Sequence, residues 1–166
     1  LSPDGTLLAW LRWDHPDMPW DAAEVWVGRG EYPGGAAPDA RADDAVPQVV
    51  DRRRVAGGRV GAVARGLDRP IAACLPSWSP DGRLWWCDDA DDWWQLRCVE
   101  SGGLPSEGAG DAVGVALDVP GEVGEPRWIS GGRRYGFTDD GRVVRALLRD
   151  GLDSVQVWDP AAGSLE

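Results

Sequence analysis

The chain reads as short runs of branched and aromatic residues separated by tight polar turns. Residues 6–13, 83–87 and 142–148 are three such runs, and each follows a compact turn signal: Ser2-Pro3-Asp4-Gly5, Ser79-Pro80-Asp81-Gly82, and the looser Thr138-Asp139-Asp140-Gly141. The turn chemistry is specific. Proline presets φ at the first corner, the aspartate side chain caps the turn, and glycine accepts a positive φ. Behind each first run a second follows after a polar loop, over 24–27, 93–99 and 154–158. The pattern therefore predicts one hairpin used three times.

Further strands are expected over 48–55, 71–74, 113–119 and 134–137, and no window carries a 3.6-residue apolar period long enough for a helix. The expected class is all-β, a partial β-propeller of about three blades, divided near 1–56, 57–119 and 120–166. The turn glycines Gly5, Gly82 and Gly141 are spaced more widely than the roughly 40 to 50 residues of ordinary blades, so insertions take up the difference. Residues 28–47, small and polar without a period, read as one surface insertion, and 100–111 as another. Tryptophan is abundant, with 11 residues. In stacked four-stranded blades both sheet faces are covered, so Trp10, Trp13, Trp26, Trp85, Trp86, Trp93, Trp94 and Trp158 are expected to fill the space between neighbours.

Composition narrows the function. With 43% hydrophobic and 27% charged residues the chain can bury a core. Its net charge of −11 repels phosphate backbones and anionic lipid, which argues against nucleic acid and membrane surfaces as partners. No apolar run approaches the roughly 20 residues of a membrane span. All 17 basic residues are arginine. The chain starts without an initiator methionine, and is expected to be a segment of a longer protein.

Cys74, Cys87 and Cys98 lack a Cys-x-x-Cys spacing, and the single histidine cannot complete a zinc set, so no metal or cofactor is expected. Cys87 and Cys98 fall on two arms of a hairpin turning near Ala90, about three rungs or 10 Å apart, too far for a disulfide. Reduced, buried thiols and a cytoplasmic location are the expectation. Asp88, Asp89, Asp91 and Asp92 crowd the same hairpin tip and read as a solvated cluster rather than a calcium loop. Arg52-Arg53-Arg54 reads as a charged edge strand.

Hydrolysis by a triad needs a nucleophilic serine on a strained elbow, a histidine and a carboxylate. No serine here has flanking glycines in the G-x-S-x-G pattern, and His15 lies in a loop without a nucleophile nearby, so no catalytic residue is assigned. That loop, 14–21, holds the only His, the only Met, two prolines and a tryptophan. Its residues His15, Asp17, Met18, Trp20 and Asp21 are the candidate rim or substrate-contacting set, because loops on a rigid scaffold carry function. The competing reading is a stiff lid whose Met18 and Trp20 pack on the adjacent hairpin.

Several motifs together resemble a known family. Ser2-Pro3-Asp4-Gly5, the stretch from Trp13 through His15-Pro16-Asp17-Met18-Pro19-Trp20-Asp21 with Glu24-Val25-Trp26, Trp78-Ser79-Pro80-Asp81-Gly82, and Trp93-Trp94 with Leu96 are similar to the propeller of prolyl oligopeptidase family (S9) serine peptidases. The dipeptidyl aminopeptidase and acylaminoacyl peptidase types are the nearest members. The likeness continues through Pro126-Arg127-Trp128, Tyr135-Gly136-Phe137 and Asp140-Gly141-Arg142. Departures are Asp92, where the resemblance expects the glycine of a Gly-Trp-Trp turn, and Gln95, where it expects asparagine. Residues 59–73 do not follow the pattern.

The resemblance implies a propeller followed by an α/β-hydrolase domain that bears the triad, with the propeller admitting short peptides as a steric filter. The partner is then a peptide substrate, reached through that further domain, and a homo-oligomer is compatible with the fold. The alternative is a TolB-like or sensor propeller that binds a protein or glycan and has no enzymatic domain.

Overall fold

The computed structural model describes residues 1–31, 48–100, 103–125 and 131–165. Three antiparallel sheets follow one another along the chain. Sheet one holds β1 (Leu7–Arg12), β2 (Glu24–Glu31) and β3 (Gln48–Gly57) in that order. Sheet two holds β4 (Ala73–Trp78), β5 (Leu84–Asp88) and β6 (Gln95–Val99). Sheet three runs from β7 (Tyr135–Phe137) through β8 (Val143–Arg149) and β9 (Leu152–Asp159) to β10 (Ser164–Leu165). This is an all-β partial propeller. Among the described residues only α1 (Pro19–Ala22) and α2 (Gly58–Ala64) are helical, and neither is long and apolar enough to cross a membrane.

The three turn signals fold alike. Gly5, Gly82 and Gly141 have φ of 72°, 85° and 85°, and each donates its N–H to the Ser or Thr three residues back at 2.9 Å. The Ser2, Ser79 and Thr138 hydroxyls donate in turn to Asp4, Asp81 and Asp140. Asp92, the departure from the Gly-Trp-Trp pattern, also sits at a φ of 65°. It occupies the left-handed conformation that glycine takes most readily and that aspartate tolerates among side-chain-bearing residues.

Sheet two is the middle layer, and β5 is buried along its whole length. Neighbouring side chains on a strand point to opposite faces, so Trp86 enters the core shared with sheet one while Trp85 enters the core shared with sheet three. Leu7, Val25, Val27 and Val55 meet Trp86 on the first side; Tyr135, Val143, Leu147 and Trp158 meet Trp85 on the second. Trp85 packs edge-on to Trp158 with ring centroids 6.1 Å apart. Burying each of these two indoles contributes roughly 4–6 kcal/mol of gross transfer free energy.

Several expectations are corrected. The strand expected over 71–74 is displaced to Ala73–Trp78, leaving Ile71 in an isolated bridge with Gly58. β2 runs on to Glu31, into the stretch read as a loop, because Gly28 lets β3 approach: a Cβ there would lie 2.5 Å from Val49 Cγ1. The rest of that insertion, 32–47, lies outside the described residues, as does Pro126-Arg127-Trp128. No strand forms over 113–119. Three of its carbonyls are taken by side chains instead: Arg97 Nη1 donates to Val113 O at 3.3 Å, Arg145 Nη1 to Leu117 O at 3.3 Å, and Gln95 Nε2 to Val119 O and, just beyond the stretch, to Gly121 O, both at 2.9 Å.

The aspartate cluster is a solvated tip only in part: Asp91 and Asp92 are exposed, whereas Asp88 and Asp89 turn inward. Asp88 is 2% exposed and accepts from Trp86 Nε1, the Ala90 N–H and Arg97 Nε at 3.0, 3.2 and 2.8 Å. Asp89 pairs with Arg69 and Asp91 with Arg65 and Arg97. Arg54, unlike the exposed Arg52 and Arg53, is buried and grips Asp111 with both terminal nitrogens, at 2.8 and 2.6 Å. Trp13 and Trp93 are more than 40% exposed and do not fill an inter-sheet space. Trp10 and Trp26 stack with centroids 6.4 Å apart, with Arg12 over Trp26.

The cysteines are all free, and Cys74 faces Cys87 directly across β4 and β5. Cys98 pairs with Trp85, so it lies two residues along the ladder from Cys87, closer than expected. Burial pushes the Cys87 thiol well above its usual range, with the Cys74 thiol adding to the shift.

Candidate functional site

The first strand of each sheet lies at its edge, and the three first strands converge on one open cleft of about 450 Å³. β1 contributes Leu11, β4 contributes Leu75-Pro76-Ser77, and β7 contributes Tyr135. Trp13 and Pro19 close one end, and Gly131, Gly132, Arg133 and Arg134 line the other. The size suits two or three residues of a peptide.

A β-bulge shapes the β4 wall. Cys74 pairs with Cys87 and Ser77 with Trp85, so Leu75 and Pro76 together oppose the single residue Trp86. Leu75 has a φ of 56°, in the left-handed region that a γ-branched residue enters only under strain, and it precedes a proline. Such a conformation costs on the order of 1–3 kcal/mol and persists only where the surroundings fix it. Here the Tyr135 hydroxyl donates to the Leu75 carbonyl, which the bulge has released from the ladder. Burial, with the Cys87 and Cys74 thiols adding to it, pushes the Tyr135 phenol well above its ordinary range. Tyr135 is thus a proton donor throughout the neutral range.

The far end carries two guanidinium groups, those of Arg133 and Arg134. Arg134 Nη2 donates to Asp153 Oδ1 at 2.6 Å, and that bond raises the Arg134 pKa. Arg133 is exposed and has no carboxylate partner among the described residues. Below Tyr135 on the same face its register partner Arg145 is buried, held by Gln156 Oε1 and Leu117 O, and burial lowers its pKa.

The loop 14–21 borders this cleft without placing its candidate residues in the lining. His15 is exposed. Asp17 pairs with Arg59 of α2 at 2.9 Å. Met18 is the N-cap of α1 and is exposed, and its backbone N–H donates to Asp21 Oδ2 at 2.8 Å, so Asp21 serves the helix start. Trp20 is half-buried within α1. Pro19 and Trp13 are the members of this region that face the cleft. Sequence reasoning missed Leu75-Pro76, Arg133, Arg134 and Tyr135 as site residues. One signal was available, since a proline at the end of an expected strand marks a bulge.

Chemically the cleft offers an apolar floor, a phenol and guanidinium groups. Ser77 is its hydroxyl, and the only imidazole of the chain, His15, is not in the lining. Among the described residues no group of His, Cys, Asp and Glu could hold a metal ion.

No protein-family profile matches the chain, and no curated protein does. Solved structures do. A puromycin-hydrolyzing peptidase of Mycobacterium tuberculosis is 28% identical, with a TM-score of 0.72 over 99% of this chain and 20% of that one. A puromycin hydrolase, 27% identical, gives the same TM-score and coverage, as does a variant of it complexed with PGG. The chain therefore spans one fifth of the length of the structures it matches. The likeness bears out the resemblance to the propeller of S9 peptidases.

Proposed function

We propose that this chain, a propeller sector of the S9 peptidase kind, is the non-catalytic part of a serine peptidase and limits which peptides reach a hydrolase domain in the same protein. The observation that carries the reading is the cleft where the first strands of all three sheets meet. In a propeller the first strands surround the axis, so a cleft between them borders the route a substrate would take. Its volume accommodates a short peptide and not a folded chain. The strained, hydrogen-bonded wall at Leu75 and the proline-bearing end at Pro19 hold that aperture at a fixed width. Fixed width is what a steric filter requires, since discrimination by size fails if the opening can relax.

The neighbours' names speak of puromycin hydrolysis, and an aminoacyl or short peptidyl substrate for the whole protein is part of the proposal. Two measurements test it. The gene should encode a G-x-S-x-G elbow with a later Asp and His beyond the segment described; uninterrupted hairpins without them refute the peptidase assignment. In that full-length protein Trp13→Ala should raise cleavage of peptides longer than about ten residues relative to tripeptides. An unchanged ratio removes the filter.

A further inference from the structure

The geometry points to the cleft as a receptor for the C-terminal carboxylate of a short peptide, with Arg133 as the residue that takes it. This rests on the peptide-filter reading and adds an orientation to it: the carboxylate end of the peptide lies at the Arg133 end of the cleft, and its amino end points away.

Three observations support it. First, the chain carries a net charge of −11, and almost all its guanidinium groups near the cleft are already engaged: Arg12 by Asp14, Arg59 by Asp17 and Arg134 by Asp153. Arg133 is the exception in the lining. An exposed arginine without a carboxylate partner, at the mouth of an aperture in an acidic protein, is a local minimum for an anion. Second, the opposite end of the cleft is apolar and aromatic, formed by Leu11, Trp13 and Pro19. A ligand spanning the cleft must therefore combine a carboxylate with an apolar side chain, as the last residues of a peptide do. Third, of the acidic groups nearby Asp153 is bonded to Arg134, while the exposed Glu125 lies outside the cleft lining, beside Gly132, where a Cβ would stand 3.8 Å from its carboxylate. The ammonium end of a peptide thus finds no free carboxylate in the lining, whereas its carboxylate finds a free fork of N–H donors.

The test uses acetyl-Ala-Phe with a free carboxylate and the same compound as its C-terminal amide, titrated calorimetrically into the chain. Binding is located by the indole N–H resonance of Trp13. The free acid should bind about ten- to a hundredfold more tightly than the amide, the range expected for a hydrogen bond to a charged group. Arg133→Gln should abolish that preference and Arg133→Lys should retain part of it. Arg149→Gln, at a paired surface arginine on β8, should leave it intact. Equal binding of acid and amide, with the Trp13 resonance shifting for both, overturns the carboxylate assignment while leaving the peptide reading in place. Binding of neither compound overturns both. A preference that survives Arg133→Gln assigns the carboxylate elsewhere and overturns the role of Arg133.

Discussion

Replacing Arg97 by Met and, in a separate chain, Arg145 by Met removes the same guanidinium from two fully buried sites with different electrostatic consequences. Arg97 is an ion-pair member: Nε meets Asp88 Oδ1 at 2.8 Å, and Asp91 accepts from Nη2. Its loss strands the Asp88 carboxylate, 2% exposed, with only the Trp86 indole and the Ala90 N–H as donors. Breaking a buried pair in this way costs about 3–5 kcal/mol. Arg145 has no carboxylate. Its acceptors are Gln156 Oε1, at 3.1 and 2.9 Å, and Leu117 O at 3.3 Å. Methionine there leaves two neutral acceptors, one of them on a half-buried side chain that water can reach, and removes a cation whose desolvation no carboxylate offsets. The expected net cost is below about 1 kcal/mol. Urea unfolding at low micromolar concentration, followed by tryptophan fluorescence, reads both, and an unchanged slope certifies that the unfolded state is the same. At about 2–4 °C per kcal/mol for a chain of this size, Arg97→Met should lower Tm by about 6–20 °C and Arg145→Met by less than about 4 °C. Equal losses at the two sites refute the claim that the counter-ion decides the outcome.

Acid should loosen the repeated turns. Asp4 is held below its ordinary pKa of 3.8 by the Ser2 hydroxyl, and Asp140 by the Thr138 hydroxyl. For Asp81 burial opposes the shift, but Arg83 and Ser79 outweigh it. A depressed carboxylate stabilises the fold above its unfolded pKa, and that contribution is lost as pH falls through the folded value. Tm should therefore drop below about pH 4, with a shallower drop in Asp81→Asn; an identical acid limb in both chains argues against the turns. Gly110→Ala places a Cβ 2.7 Å from the Trp86 ring, and overpacking of this kind should cost about 1–3 kcal/mol in urea unfolding. Gly141→Ala meets nothing within 4 Å, so only its φ of 85° opposes it, and a loss of about 1–2 kcal/mol is expected. The outer face of sheet three carries Val155, 75% exposed, and Leu152 at the start of β9 is exposed to the same extent; concentration-dependent association seen by light scattering should fall in Val155→Lys.

What the sequence made legible is what is decided locally. The turns could be read because proline, aspartate and glycine act within four residues, and the continuous apolar run 84–87 announced a strand buried on both faces. Partners distant in sequence decided the rest. Val113-Gly114-Val115 looks like a strand until Arg97, Gln95 and Arg145 claim the carbonyls around it. Asp88 looks solvated until Arg97 closes over it, and Arg54 looks like an edge charge until Asp111, 57 residues on, packs against β3. α2 escaped notice because seven residues are too few for a helical period to register. The cleft was hidden for a related reason: Leu11, Leu75 and Tyr135 belong to three sheets, and no spacing along the chain connects them. The loop around His15 drew attention through its unusual residues, yet only Trp13 and Pro19 of that region line the cleft.

The placement of the thiols makes the middle layer self-reporting. Cys98 lies on β6, an edge strand, and keeps some exposure, whereas Cys74 and Cys87 are sealed in the indole-lined core that sheet two shares with sheet three. An alkylating reagent must meet them in a fixed order. Fraying of one edge admits it to Cys98, but the facing pair waits until the layer parts from its neighbour. The lag between the two events measures how often that layer opens in the native state, with no engineered label.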